Sequence, residues 1–197
     1  EAIHKEIPRG GGLIEGAAVA SVVPGVDSLW WEVLVRKFKL QPVWVTHKLP
    51  LGMEIQYKPV SGVGADRIAN AVGGFKKYGG PLIIIDFGTA VTFDVVDEKG
   101  NYLGGVISPG ISLTIEALHK GTALLPKIEL REPEQVLGQD TVSAMRSGIV
   151  VGFCGMIKEI VERLGKELGF GSRVTIVATG GYSEPIAKHL PFRMEVN

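Results

Sequence analysis

The chain has 197 residues, 45% of them hydrophobic, with 27 glycines and 11 prolines. That length suits one large domain or two small ones with a real core, and the composition excludes a disordered chain. The formal net charge is zero, which argues against a broad nucleic-acid surface but leaves room for a small anionic ligand held by a few local donors.

The single cysteine, Cys154, excludes an intrachain disulfide, and a reducing, cytoplasmic location is expected. No signal-peptide pattern opens the chain. The longest apolar stretch, Gly148 to Ile157, is shorter than the ~20 residues that a membrane span needs, so no membrane partner is expected. The first residue is Glu1, not Met, and the chain is expected to begin inside a longer natural polypeptide.

Ala17 to Val23 is small and β-branched and stops at Pro24-Gly25, which predicts a buried strand and a turn. Asp27 is expected to cap a helix running to about Lys39, with Leu29, Val33, Leu34 and Phe38 on its inner face and Trp30 and Trp31 packed. Short strands are predicted at Val43 to Val45 and Met53 to Tyr57. A second helix starts near Gly64 and carries Ile68, Ala71, Val72 and Phe75. Its Gly73-Gly74 pair either weakens it or marks close packing.

The most regular region follows. Leu82 to Asp86 reads as a fully apolar strand ending in a carboxylate, and Phe87-Gly88-Thr89 turns the chain. Ala90 to Val96 and Tyr102 to Ser108 read as two further strands joined by the turn Asp97 to Asn101. Pro109-Gly110 precedes a helix to about Lys120, and residues 122–138 read as loop. A long helix is predicted from Asp140, its candidate N-cap, to about Leu168. Val174 to Ala178 is another strand, closed by Thr179-Gly180-Gly181, with a short helix and the start of a last strand behind it. This order gives an α/β class, with a boundary at Pro81 between an N-terminal half, residues 1–80, and a C-terminal half, residues 81–197.

Two segments carry chemistry. In the first, Asp86 ends a buried strand, and Gly88 and Thr89 follow in the turn. A glycine there lets backbone N–H groups approach phosphate oxygens, and a threonine hydroxyl donates to the same oxygens. A carboxylate at the strand end can hold a cation beside a polyphosphate. The competing reading is a tight turn whose Asp bonds its own backbone; the apolar strand before it and the hairpin after it favour phosphate. In the second segment, Gly64-Ala65-Asp66-Arg67 places an acid and a base at a helix start. Asp66 suits simple capping. It also suits general-base duty towards a hydroxyl, and Arg67 suits a carboxylate.

These segments, with Ala20 to Pro24, Asp86 to Asp94, Gly104 to Gly110, Gly121 to Pro126 and Thr179 to Gly181, occur in one order along the chain. In that order they resemble the type III pantothenate kinase family, from about Ala17 to Val196. The resemblance implies an actin-like (ribonuclease H-like) kinase fold, α/β, built as two related halves with mixed sheets. It implies transfer of the γ-phosphate of ATP to the terminal hydroxyl of pantothenate, the first step of coenzyme A biosynthesis. Asp66 would be the catalytic base, and Gly64, Ala65, Asp66 and Arg67 would bind pantothenate together with Tyr57, nine residues before Asp66. Gly88 and Thr89 would bind ATP, and Asp86 a monovalent cation, potassium or ammonium, with magnesium carried by the nucleotide. Thr141, opening the long helix, would reach pantothenate across a homodimer interface.

The sequence departs from that family in three places. The apolar strand ending Asp-x-Gly-Asn-Thr, the family's first phosphate loop, is not found in residues 1–16, where Arg9 to Gly12 reads as a glycine-rich loop. The last family strands would follow Asn197. Val91 stands where a second threonine is usual. His4, His47, His119 and His189 lack metal-ligand spacing. Gly148 to Gly155 is apolar almost all round and is read as a dimer interface, with an intrachain core as the competing reading. The alternative function is a non-catalytic regulatory or accessory homologue of the same fold. Direct nucleic-acid binding is not expected, since charge and helix pattern do not support it.

Overall fold

A computed structural model of the chain describes residues 14–196. The expected loop at Arg9 to Gly12 lies outside the described residues. The fold opens with β1 (Ala18–Val19) and α1 (Pro24–Glu32), which continues as a π-helical segment (Val33–Lys37). β2 (Val43–Trp44) pairs in parallel with β1 as a two-stranded sheet.

This N-terminal part differs from the sequence expectation. The strand at β1 is two residues long and half exposed rather than a buried strand to Val23. Helix α1 begins at Pro24 and has no side-chain N-cap; Asp27 sits in its first turn and accepts from the Ser21 hydroxyl instead. The expected inner face is not buried either. Leu29 is 60% exposed and Trp31 47% exposed. A two-stranded sheet offers too little apolar area to cover a helix face. The strand expected at Met53 to Tyr57 reduces to one bridge, Ile55 to Tyr102, although its alternating exposure is strand-like.

From Val63 onward the pattern becomes the fold. Helix α2 (Ala65–Tyr78) is followed by β3 (Leu82–Phe87), β4 (Ala90–Val96) and β5 (Tyr102–Pro109). Then come α3 (Ile111–Gly121), α4 (Thr141–Glu167), β6 (Thr175–Thr179), α5 (Ser183–Ala187) and β7 (Glu195–Val196). The sheet order is β5-β4-β3-β6-β7. β3, β4 and β5 form an antiparallel meander, and β3 pairs in parallel with β6, as β6 does with β7. The sheet is therefore mixed, with β3 at its centre and buried on both faces.

Side chains alternate across a strand, so β3 serves two layers. Ile83, Ile85 and Phe87 join Val91, Phe93 and Val95 of β4 in a cluster with Met145, Ile149, Phe153, Ile157 and Val161 of α4. Leu82, Ile84 and Val96 face the other way and pack with Ile68 and Ala71 of α2. Gly74 belongs to this second contact. A Cβ there would lie 2.9 Å from Ile84 Cδ1 and 3.0 Å from Leu82 Cδ2, so of the Gly73-Gly74 pair Gly74 marks close helix-sheet packing, while Gly73 faces open space.

Helix α4 begins in a capping box. Asp140 accepts from the Val142 and Ser143 amides, and the Ser143 hydroxyl accepts from the Asp140 amide. Its apolar run is not buried all round. Ile149, Val150 and Phe153 enter the core, whereas Val151 is exposed and Gly148 and Gly152 line an outer groove. No helix among the described residues is long and apolar enough to cross a membrane.

The β4–β5 turn is tied by Asp97, which accepts from the Lys99 and Asn101 amides at 2.9 and 2.8 Å and from the Asn101 side chain at 2.9 Å. Burial pushes its carboxyl up, but these donors together outweigh it and hold the group below the usual carboxylate range. A depressed folded-state value means that stability is present above the unfolded value and is lost as pH falls through the folded one. Asp97→Ala is expected to lower stability by about 1 kcal/mol at neutral pH. In thermal melts from neutral pH to below ~4, the difference from the parent chain should shrink as the carboxylate protonates.

Candidate active site

The site lies on the α2 face of the sheet, where the even-numbered positions of β3 and β4 point. Asp86 follows Leu82 and Ile84 on β3, and Thr92 and Asp94 precede Val96 on β4. At the start of α2, Gly64 is the N-cap in extended conformation and contributes no side chain. Asp66 therefore serves the helix end itself: its Oδ1 accepts from the Arg67 amide at 2.8 Å. A Cβ on Gly64 would stand 2.5 Å from that same oxygen, so this position keeps the Asp66 carboxylate in place by being bare. Asp66 is half-buried.

Arg67 points into the protein. It is 5% exposed, and its Nε donates to Oδ1 of Asp94, which is 0% exposed, at 2.7 Å. The Tyr102 hydroxyl donates to the same oxygen at 2.8 Å, and Thr92 Oγ1 lies 3.3 Å from Oδ2. The rings of Tyr57 and Tyr102 flank the guanidinium, each centroid 5.9 Å from Cζ. Burial raises the Asp94 carboxyl above its ordinary range, while Arg67 and the donors from Tyr102 and Thr92 pull it down. For Arg67, burial favours the neutral form, but Asp94 and the two tyrosines outweigh it and the group stays charged.

Two features mark this pair as more than a surface salt bridge. Nη2 of Arg67 is buried without a hydrogen-bond partner. Gly105 of β5 makes the room: a Cβ there would meet Phe93 O at 1.7 Å and Arg67 Nη2 at 2.6 Å. Segment 54–57 docks beside it, with Tyr102 N donating to Glu54 O and Gln56 N to Tyr102 O, both at 2.8 Å. That docking places Tyr57 over the guanidinium.

The hairpin expected to meet phosphate lies at the end of β3. Gly88 and Thr89 form its exposed tip between β3 and β4. Asp86 is tied to α2 through Asn70, whose Nδ2 donates to Asp86 Oδ2 at 2.8 Å. Oδ1 faces Gly180, which follows β6. A Cβ on Gly180, whose φ is +91°, would lie 2.8 Å from that oxygen. That Cβ would also stand 2.8 Å from Phe87 N and C, so Gly180 is bare because its backbone passes close to the end of β3; the lone carboxylate at this turn fits a cation shared with oxygens brought by a ligand. Among the described residues no group of three or more His, Cys, Asp or Glu could hold a metal ion, so the donors do not suit a resident divalent metal caged by protein alone.

Tyr57, Gly64, Ala65, Asp66, Arg67 and Asp86 thus gather on one face, with Gly88 and Thr89 at the sheet end beside it. Thr141 does not join them within one chain. It opens α4, which packs on the opposite face, and it lines a groove of about 690 Å³ with Pro109, Gly148, Gly152 and Met156. Three contributors were not singled out from sequence: Asn70, Asp94 and Tyr102. For Asp94 a signal existed, a charged residue inside an otherwise apolar strand.

Comparison with known proteins places this arrangement. The fold matches a crystal structure from Campylobacter jejuni described as a Baf family transcriptional activator, with TM-score 0.61 and 18% identity over 93% of this chain and 76% of that one. The architecture is the actin-like α/β fold that the sequence resemblance implied. A sequence model of the type III pantothenate kinase family matches residues 1–163. Relatives carrying that name include one from Koribacter versatilis, 49% identical over 171 residues, and one from Paramagnetospirillum magneticum, 48% identical over 176 residues. The matched regions are 87% and 89% of this chain and 62% and 67% of those relatives, so the chain spans about two thirds of their length. The chain belongs to the type III pantothenate kinase family.

Removing one partner of a buried ion pair leaves the other charge stranded. Asp94→Ala is expected to destabilise the fold by about 3–5 kcal/mol in denaturant unfolding. Asp94→Leu combined with Arg67→Met should recover most of that loss, whereas equal losses in the single and double variants would show that the site tolerates the lone Arg67 charge.

Proposed function

We propose that the protein phosphorylates pantothenate with ATP, yielding 4'-phosphopantothenate, the first step of coenzyme A biosynthesis. The observation that carries this reading is the hydrogen bond from Asn70 to Asp86. It brings the helix that bears Asp66 against the strand that bears the phosphate hairpin, so a substrate hydroxyl and a transferring phosphoryl group can meet on one face of the sheet. Family membership supports the same reading.

Phosphoryl transfer passes through a loose transition state, so positioning and charge neutralisation supply most of the rate. Asp66, half-buried and one helical turn from Asn70, orients the pantothenate hydroxyl and accepts its proton as the bond to phosphorus forms. Gly64, Ala65, Arg67 and Tyr57 hold pantothenate. Gly88 and Thr89 donate to ATP phosphate oxygens. Asp86 would hold a monovalent cation, potassium or ammonium, which with magnesium on the nucleotide would supply neutralisation of phosphate charge.

Thr141 contributes to the pantothenate site of a second copy. Its place on the opposite face from Asp66 supports a shared site, and the groove along Gly148, Gly152 and Met156 supports close helix approach in a homodimer.

Asp66→Asn should leave pantothenate binding measurable by calorimetry and lower kcat by ~100-fold or more; unchanged turnover would remove Asp66 as the base. Thr141→Ala should raise the KM for pantothenate with kcat nearly constant. Mixed dimers of Asp66→Asn and Thr141→Ala subunits should retain one unimpaired site. Kinetics equal to those of the separate variants would exclude sharing across the interface.

A further inference from the structure

The hydrogen bond between Asn70 and Asp86 joins a residue with no assigned role to the carboxylate read as the cation ligand. We infer that Asn70 is a positioning residue that selects which oxygen of Asp86 faces the cation and keeps that oxygen fully charged. The inference rests on the assignment of Asp86 to a monovalent cation.

Three observations lead there. Asp86 projects from the α2 face of β3, and Asn70 sits one turn after Asp66 on α2, so its side chain ties the helix that bears Asp66 to Asp86. Asn70 Nδ2 occupies Oδ2 at 2.8 Å. The other oxygen, Oδ1, has no hydrogen bond among the described residues and lies beside the bare backbone of Gly180, 2.8 Å from where a Cβ would stand.

The choice of donor has a chemical meaning. A lysine or arginine at position 70 would fix the carboxylate equally well, but its positive charge would compete with a bound cation. An amide donates one hydrogen bond and leaves the net charge of Asp86 unchanged. It therefore orients without neutralising, which is what a weakly held monovalent ion requires. An unrestrained carboxylate would instead rotate and lose part of its interaction with the ion to side-chain entropy.

The full-length polypeptide provides the test, read as thermal stability and not only as turnover. Potassium chloride would be titrated against choline chloride at constant ionic strength, with melting followed by circular dichroism. A cation that binds only the folded state raises Tm with its own midpoint. The parent protein should show saturable stabilisation by potassium, and Asp86→Ala should show none. If the parent gains nothing, or Asp86→Ala gains as much as the parent, the cation assignment falls and the inference with it. Given the expected behaviour of those two, Asn70→Ala should shift the potassium midpoint upward by roughly 10-fold, as loss of a hydrogen bond to a charged group implies. Alanine is the best helix former, so α2 should survive the change. Asn70→Lys should abolish the potassium response even though it restores a donor. An unchanged midpoint in Asn70→Ala, or a normal response in Asn70→Lys, would overturn the positioning role while leaving Asp86 as the ligand.

Discussion

The arrangement of the site depends on a buried charge pair. Arg67 and Asp94 are held 2.7 Å apart in the interior, between a helix start and the middle of a strand. Two charges withdrawn from water are tolerated only when geometry and further hydrogen bonds compensate. Tyr102 and Thr92 supply those bonds, the flanking rings cover the guanidinium, and Gly105 leaves the space it occupies. The pair therefore anchors the first turn of α2 to β4. Since Asp66 is the neighbour of Arg67, the direction in which Asp66 projects follows from where Arg67 is fixed.

The central sheet separates two tasks through the simplest property of a strand, its alternation. On β3, the odd positions Ile83, Ile85 and Phe87 build a dry interface with α4. The even positions Leu82 and Ile84 pack α2, and the next even position is the polar Asp86. One strand thus contributes both to the largest apolar cluster and to the candidate site without mixing them. The same alternation on β4 buries Val91, Phe93 and Val95 on one side and presents Thr92 and Asp94 on the other.

Because α2 and α4 lie on opposite faces, the residues implied by family resemblance divide between two surfaces. Those from Tyr57 to Thr89 surround the α2 face and the sheet end. Thr141 belongs to the groove along α4, whose outer side is lined by Gly148 and Gly152 and by Met156, while its inner side is core. The apolar run from Gly148 to Gly155 accordingly serves two partners, the intrachain core through Ile149, Val150 and Phe153 and the groove through its glycines.

The amino-acid sequence by itself determined the elements from α2 to β7, because their apolar periods are long, their turns carry glycine, proline or aspartate, and Asp140 marks a helix start. It also determined the chemical segments around Asp66 and Asp86, since their residue types and order are local properties. It did not determine β1, α1 and the segment at Met53 to Tyr57, where short apolar runs predict burial that only a neighbouring layer can provide. Nor did it reveal Asn70, Asp94 and Tyr102 as members of the site. Tertiary structure decided those, because the partners of Arg67 and Asp86 are 27 and 16 residues away along the chain and meet only when α2 lies across the sheet.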